Sequence, residues 1–170
     1  MTPRVRVLIA MIAAALLFAY GSHKSVNAEI YSVVSVIDGD TIKVQFPGRV
    51  EHVRLIGMNT PETHGKGGLK ECYGEEATQQ TKSLLPSGTK VRLENDVVKR
   101  DIYGRMLAYV YRASDNLFID LELARDGAAE TLTIPPNTAH EIELADAVDQ
   151  AKAEDIGLWK MCGNAHVRIN

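Results

Sequence analysis

Three short segments of the sequence carry residue types that could act together on a phosphate ester. They are Asp38-Gly39-Asp40-Thr41, residues 54–63 and Asp101-Ile102-Tyr103-Gly104-Arg105, and they supply carboxylates, an amide and two arginines. Carboxylate and amide oxygens are ligands for a hard divalent cation, and guanidinium groups bind phosphate oxygens through paired hydrogen bonds. A further carboxylate can accept or donate a proton. The set therefore indicates metal-assisted attack on a phosphodiester.

Each segment also has a simpler interpretation. Asp38-Gly39 is a common hairpin turn, and Thr60-Pro61-Glu62-Thr63 could be a plain turn in which proline fixes one φ angle. Arg54 could be an exposed arginine on an edge strand. If that strand alternates, however, Arg54 shares a face with Ile56, and at a barrel mouth it needs an anionic partner. No segment alone distinguishes the functional from the structural interpretation, so the prediction depends on the order and spacing of the segments.

A β-rich framework must position these segments. Apolar residues are dense between positions 30 and 56, and Asp38-Gly39 and Pro47-Gly48 divide them into three strands joined as a meander. Further strands are predicted at 90–95 and 106–111, and helices at 74–85, 120–125 and 138–154. Five strands with a helix after the third predict an α+β, mainly β, fold: a five-stranded OB-fold-like barrel with three helices.

The last predicted helix has a start signal and an apolar stripe. Thr138 and Glu141 have the spacing of a capping box. The stripe that should face the core consists of Ile142, Ala145, Val148 and Ala151.

The first 28 residues have the layout of a signal peptide. Arg4 and Arg6 precede an apolar run at 7–20, and Val26-Asn27-Ala28 offers small residues for cleavage. The alternative is an uncleaved membrane anchor, but about 14 apolar residues are short for a bilayer core of roughly 30 Å. We therefore predict a signal peptide at 1–28, a single domain at 29–170, and a product that is periplasmic or secreted, with no membrane attachment in the mature form.

The mature chain would be acidic. The full sequence has 19 Lys+Arg and 22 Asp+Glu. Removing Arg4, Arg6 and Lys24 leaves 16 basic residues and a net charge of −6. This balance excludes binding of nucleic acid through a broad basic surface. Positive charge for a polyanionic substrate must therefore be local, or must come from a metal.

Two cysteines, Cys72 and Cys162, complete the composition. In an exported chain an even count favours a disulfide, and the alternative is two buried free thiols. Two isolated cysteines fall short of the three or four close ligands that zinc sites use.

Taken together, the segments resemble the staphylococcal nuclease (thermonuclease) family. The runs that carry the resemblance are 36–41, 54–63, 73–77, 101–111 and 136–141, together with Gly157-Leu158-Trp159. The resemblance covers about residues 30–159, nearly the whole expected nuclease domain at 29–170. It implies an OB-like five-stranded barrel with three helices. It also implies calcium-dependent, sugar-nonspecific cleavage of DNA and RNA, by breakage of the 5′ P–O bond with 3′-phosphate products.

The resemblance also implies roles for individual residues. Asp40 and the carbonyl of Thr60 would be calcium ligands, and Asn59 stands where the family usually has a second carboxylate ligand. Because calcium affinity depends on ligand charge, we expect weaker calcium binding than in the usual member.

The catalytic roles follow the same matching. Glu62 would be the general base toward the attacking water, and Arg54 and Arg105 would bind the phosphate and stabilise the charge of the transition state. Tyr103 could contact the phosphate or sugar. The family's tyrosines before the Pro-Asn turn are replaced here by Thr131-Leu132-Thr133-Ile134-Pro135. Since base stacking is worth about 1–3 kcal/mol, base preference or affinity should differ.

Two alternatives stand beside the nuclease interpretation. One is a non-catalytic OB-type module that binds single-stranded nucleic acid or protein, and the other is a secreted protein with a structural calcium site. Neither needs Arg54, Glu62 and Arg105 together with Asp40, so the four residues favour the enzyme. We expect a monomer with DNA and RNA as substrates and no stable protein partner.

Overall fold

The structure, a computed structural model, describes residues 29–64 and 70–163. The predicted signal peptide lies outside the described residues. The strands are β1 (Ile30–Asp38), β2 (Thr41–Phe46), β3 (Arg49–Leu55), β4 (Gly57–Asn59), β5 (Lys90–Glu94), β6 (Met106–Arg112), β7 (Leu117–Phe118) and β8 (Glu130–Leu132). The helices are α1 (Gly74–Leu84), α2 (Ile119–Arg125), α3 (Glu141–Ala153) and α4 (Leu158–Cys162).

Five of the strands close into a barrel. The meander of β1, β2 and β3 is antiparallel, β1 also pairs with β5, and β5 pairs with β6. A parallel pairing between β3 and β6 completes the circle. The predicted α+β fold with an OB-like barrel is therefore confirmed. The described residues add a short fourth helix, α4, and a small second sheet of β4 and β8.

Alternating side chains fill the barrel. Ile42, Val44 and Phe46 of β2 face inward with Val53 and Leu55 of β3, and all five are buried. This is the period-two pattern of a strand with one face on the core. A second buried cluster lies outside the barrel, where α2, α3 and α4 pack on the outer face of β6. The barrel wall is therefore covered on its inner face and, at β6, on its outer face as well.

Helix α3 departs from the prediction. It begins at Glu141, and in the described residues His140 is its N-cap, without a side-chain capping hydrogen bond. The Thr138–Glu141 capping box is therefore wrong: the Glu141 N–H donates to the Thr138 carbonyl at 3.1 Å in a turn that precedes the helix.

The predicted apolar stripe of α3 is also partly wrong. The buried face consists of Leu144, Ala147, Val148 and Ala151. Ile142 is 77% exposed, because the helix packs through a face rotated away from it.

A disulfide joins Cys72, just before α1, to Cys162 at the end of α4, as predicted. It closes a loop with a sequence separation of 90 residues. Chain entropy alone would make such a bridge worth about 4–5 kcal/mol. Among the described helices none has the length and apolar character needed to cross a bilayer.

The barrel brings the three chemical segments to one end. Arg54, near the end of β3, lies opposite Thr41 of β2 and opposite Leu107 of β6. The β1–β2 turn, the β3–β4 connection and the chain leading into β6 therefore meet around one residue.

Candidate active site

Asp40 is almost fully buried, at 1% exposure, as is Thr60. Its carboxylate forms an ion pair with Arg54. It also accepts hydrogen bonds from the Thr41 hydroxyl at 3.0 Å and from the Thr60 N–H at 3.0 Å. The long-range bond to Thr60 fixes the β1–β2 turn against the segment after β4.

Arg54 lies at the centre of the cluster, and its side chain is 11% exposed. It sits on a strand paired on both sides, so it is not the exposed edge arginine of the simpler interpretation. Its Nη2 donates to the Asn59 amide oxygen at 2.7 Å. Burial, and then the like charge of Arg105, lower the pKa of Arg54 to about 10, which leaves the guanidinium charged at neutral pH.

Asn59 and Thr60 complete an oxygen-rich group with Asp40. The Asn59 Nδ2 donates to the Thr60 carbonyl at 3.2 Å. The Thr60 hydroxyl is buried and has no hydrogen-bond partner among the described residues. A Cβ added at Gly39 would lie 2.5 Å from that hydroxyl, so the turn approaches Thr60 as closely as glycine allows.

This donor set fits a hard cation such as calcium. One carboxylate, one amide oxygen, one backbone carbonyl and an orphaned hydroxyl are gathered together, and calcium accepts all these oxygen types at flexible geometry. Within the described ranges, no group of three or more His, Cys, Asp or Glu side chains is placed to hold a metal. The set therefore combines several kinds of oxygen donor. Its only charged member is the Asp40 carboxylate, since Asn59 offers a neutral amide oxygen.

Glu62 follows two residues later and is partly buried. A hydrogen bond with Asp38, then burial and the negative charge of Asp38, raise the pKa of Glu62 to about 7. Its backbone is held on both sides by Glu71, whose carboxylate accepts from the Glu62 N–H at 2.9 Å and whose N–H donates to the Glu62 carbonyl at 3.0 Å. Gly74 packs on the same carbonyl, where a Cβ would come within 2.6 Å.

Arg105 ends a turn that Asp101 organises. The Asp101 carboxylate accepts from the N–H groups of Tyr103 at 3.0 Å and Arg105 at 2.9 Å, and from the Arg105 Nε at 2.6 Å. The Arg105 side chain is 32% exposed, and its guanidinium carbon lies 5.6 Å from the centre of the Tyr103 ring. Tyr103 itself is 78% exposed. This turn therefore presents a cation and an aromatic ring together.

A pocket of about 440 Å³ opens beside Arg54, and Glu62, Asp40, Asn59 and Thr60 are not among the residues that line it. Arg54, Arg105 and Tyr103 line it, so the structure brings the two predicted arginines and the predicted contact residue to one cavity. Asp40 and Asn59 contact Arg54 directly, through an ion pair and a hydrogen bond, and the Thr60 N–H donates to Asp40. The other wall is apolar and includes Met58, Leu132, Ile134, Pro135 and Pro136.

Sequence reasoning missed three polar residues near the site. Asp38 is predicted only as part of a turn, whereas in the fold it accepts a hydrogen bond from Thr78 of α1 and faces Glu62. Glu71 and Arg100 stand in no recognisable motif, because the residues that they bind, Glu62 and Glu51, lie 9 and 49 positions away in the sequence. Only the fold identifies them.

At one end of an OB-like barrel, a buried carboxylate–guanidinium cluster beside a second arginine is an arrangement suited to binding a phosphate ester. The family model described as "Staphylococcal nuclease homologue" matches residues 52–161. The chain therefore belongs to the staphylococcal nuclease family.

Individual relatives agree. The chain is 40% identical over 139 residues to the thermonuclease of Staphylococcus intermedius, covering 82% of this chain and 81% of that protein. It is 38% identical over 133 residues to the thermonuclease of Staphylococcus hyicus, covering 78% and 77%. It is 37% identical over 129 residues to endonuclease YncB of Bacillus subtilis, covering 75% and 60%. These relatives indicate a nuclease-type hydrolase.

Proposed function

We propose that the protein is a calcium-dependent, sugar-nonspecific endonuclease that hydrolyses phosphodiester bonds of DNA and RNA and leaves 3′-phosphate ends. The observation that carries the proposal is the hydrogen-bonded cluster of Asp40, Arg54, Asn59 and Thr60, which opens through Arg54 onto the pocket lined by Arg105. Oxygen donors for a cation and two guanidinium groups for a phosphate lie next to each other there.

Asp40, Asn59 and the Thr60 carbonyl are the residues that would hold calcium. When bound, the cation supplies Lewis acidity toward a phosphoryl oxygen and a site that orients water. The chain's own contribution is a rigid frame, since Asp40 is fixed by Thr41 and Thr60 and the Asn59 amide donates to the Thr60 carbonyl. With one carboxylate in the set, we expect calcium affinity to be modest.

Glu62 is the proposed proton acceptor for the attacking water. A general base must lie within reach of the water and have a pKa suited to the working pH. Glu62 follows the Thr60 ligand by two residues, and Glu71 and Gly74 hold its backbone in place. The carboxyl can therefore take a proton at Oε without the backbone having to reorganise.

Arg54 and Arg105 are the proposed phosphate ligands. Both line the pocket, and a guanidinium group offers two parallel N–H donors to a phosphoryl group. Their contribution is largest where negative charge grows in the transition state. Tyr103, exposed beside Arg105, is placed to contact the neighbouring phosphate or sugar.

The predicted export signal and the acidic charge agree with this proposal. A chain with net charge −6 after removal of residues 1–28 needs its cations concentrated at the site, as Arg54 and Arg105 are. We propose residues 29–170 as a single nuclease domain that works as a monomer in the periplasm or outside the cell, without a stable protein partner.

The test is digestion by the purified mature chain. Plasmid DNA, single-stranded DNA and RNA are incubated with calcium and then with chelator, beside Glu62→Gln and the exposed control Glu76→Gln. We expect digestion of all three substrates with calcium, none with chelator, and a 10²–10⁴-fold loss of kcat in Glu62→Gln only. A polymerase should extend the DNA products only after phosphatase treatment. Binding without cleavage under every divalent metal would refute the enzyme and support the OB-type binding module.

A further inference from the structure

The turn that carries Arg105 is tied to the barrel by Arg100, a residue outside the proposed site. Arg100 precedes the turn, and its backbone pairs with that of Met106 on the other side of the turn in an isolated antiparallel β-bridge. Its Nη1 donates to the Gly104 carbonyl at 2.8 Å, and its guanidinium also binds both carboxylate oxygens of Glu51 on β3, at 2.7 and 2.9 Å. One side chain therefore connects the turn to a barrel strand.

The peptide group between Gly104 and Arg105 is held at both ends. Arg100 binds its carbonyl at 2.8 Å, and the Asp101 carboxylate accepts from its N–H at 2.9 Å. Gly104 has φ +81°, a left-handed conformation that glycine adopts readily and that leaves the peptide plane free to rotate without such contacts. Because this peptide leads directly into Arg105, its orientation sets where the Arg105 side chain begins.

Glu51 is a firm anchor for this contact. It is 9% exposed and lies on β3, three residues before Arg54. The guanidinium groups of Arg100 and Arg49 hold the pKa of Glu51 at about 2 against the effect of burial, so the carboxylate is charged at any working pH. The same strand therefore carries Arg54 and, through Glu51 and Arg100, fixes the turn of Arg105.

We propose that Arg100 is a positioning residue for the nuclease reaction, which holds the Gly104–Arg105 peptide against β3 so that Arg105 and Arg54 face one phosphate. The proposal rests on the phosphate-binding role proposed for Arg105. Arg100 also lines the pocket, so direct contact with substrate is the competing role. Its guanidinium, however, is already engaged with Gly104 and Glu51, which favours action through Arg105.

The chain offers a matched control. Arg49 binds the same Glu51 carboxylate at 2.6 Å, and its guanidinium otherwise packs over the ring of Phe46 on β2. Arg49→Ala removes an ion pair of Glu51 while the tie to Gly104 remains. Arg100→Ala removes both an ion pair of Glu51 and the hydrogen bond to the Gly104 carbonyl. Glu51 keeps Arg49 as a partner, so the negative charge of Glu51 stays compensated.

The experiment measures kcat and KM on a single-stranded oligonucleotide at saturating calcium for Arg49→Ala, Arg100→Ala, Arg105→Ala and the Arg100→Ala/Arg105→Ala double variant. We expect Arg100→Ala to lower kcat on the order of 10-fold with KM within about 2-fold, because misplacement of a group that acts in the transition state costs rate. Arg49→Ala should stay within about 2-fold. In the Arg105→Ala background, Arg100→Ala should change kcat by less than about 2-fold, because the residue through which it acts is gone.

Three results would overturn the inference. Equal losses in Arg49→Ala and Arg100→Ala would assign the effect to the Glu51 charge. A rise of KM alone would make Arg100 a direct substrate ligand, and undiminished losses in the Arg105→Ala background would show independent action. If Arg105→Ala itself keeps full activity, the role of Arg105 fails and this inference fails with it; if Arg105→Ala is impaired, the three results above refute this inference alone.

Arg100→Lys guards against a folding defect in the alanine variant. It keeps a cation beside Glu51 but lacks the planar fork that reaches Glu51 and Gly104 together. We expect a folded protein with a smaller loss of kcat. Full wild-type kcat in Arg100→Lys and Arg100→Ala alike would refute the positioning role.

Discussion

Asp120 gives a quantitative test of the electrostatics behind the active-site end of the barrel. It lies at the start of α2 with 0% exposure. Its Oδ2 accepts from the Val110 N–H at 2.9 Å, while Oδ1 has no hydrogen-bond partner among the described residues. Burial raises the pKa of Asp120 well above its usual value of 3.8, only partly opposed by hydrogen bonds from the backbone.

The sign of the effect on stability follows from this direction. A carboxyl whose pKa is higher in the folded state contributes no penalty below pH 3.8, where it is protonated in both states. As the pH rises from 3.8 toward the folded pKa, the unfolded chain releases its proton and the folded chain keeps it. The free energy of unfolding therefore falls by about 1.4 kcal/mol per pH unit in that window.

The variant Asp120→Asn removes this penalty and keeps the acceptor for the Val110 N–H. We expect Asp120→Asn to gain stability over the wild type as the pH rises above 4, by up to about 1.4 kcal/mol per pH unit until the pH reaches the folded pKa of Asp120. Near pH 4 the two proteins should differ little. The assay is urea unfolding followed by circular dichroism at pH 4, 5, 6 and 7, with chelator present to remove any contribution of metal binding.

The control is Asp149→Asn, which neutralises a carboxylate on α3 whose side chain is 77% exposed. Its effect should stay within about 0.5 kcal/mol across the series. A difference between wild type and Asp120→Asn that stays constant from pH 4 to 7 would refute the reasoning. Such a result would mean that the buried carboxylate is ionised in the folded protein and is stabilised by the nearby charge of Arg54.

Three further outcomes are expected. Asn59→Asp adds a charge to the oxygen set, so the calcium concentration for half-maximal rate should fall several-fold; an unchanged requirement in a calcium titration would exclude Asn59 as a ligand. Arg54→Lys keeps a charge but loses the planar guanidinium that binds Asp40 and Asn59. In steady-state assays kcat should therefore fall about 10²–10³-fold, and near-normal turnover would contradict a bidentate role for Arg54. The double variant Cys72→Ser/Cys162→Ser should lose about 4 kcal/mol of unfolding free energy in urea while keeping its far-ultraviolet spectrum, since the bridge acts mainly on the unfolded chain; a loss under 1 kcal/mol would contradict that account.

Much of the fold could be predicted because its signals are local. The β1–β2–β3 meander follows from apolar residues divided by two turn dipeptides, and α1 lies at Gly74–Leu84, close to the predicted 74–85. The register of α3 could not be predicted in this way. Ile142 reads as a core position in a helical stripe, yet α3 packs through Leu144 and Val148 against the outside of the barrel. Only the position of β6 and α2 decides which face is covered.

The same distinction between local signals and long-range contacts applies to the candidate site. Asp40, Arg54 and Glu62 stand in short motifs whose residue types indicate a chemical role. The partners that fix them are nonlocal: Thr60 bonds to Asp40 across 20 positions, and Arg100 to Glu51 across 49. Side chains that carry chemistry are therefore visible in the sequence, whereas side chains that hold them in place become visible only with the topology.

The charges around the pocket explain how an acidic chain could depend on a metal for its function. Each arginine there has an acidic partner: Arg54 pairs with Asp40, Arg105 with Asp101, and Arg100 with Glu51. Taken as pairs they are close to neutral, so they orient a phosphate better than they attract one. A divalent cation held by a set with one carboxylate would leave a net positive charge beside Arg54. Substrate affinity, and not only the rate, should therefore rise with calcium, because the attraction for the polyanion is then supplied by the ion.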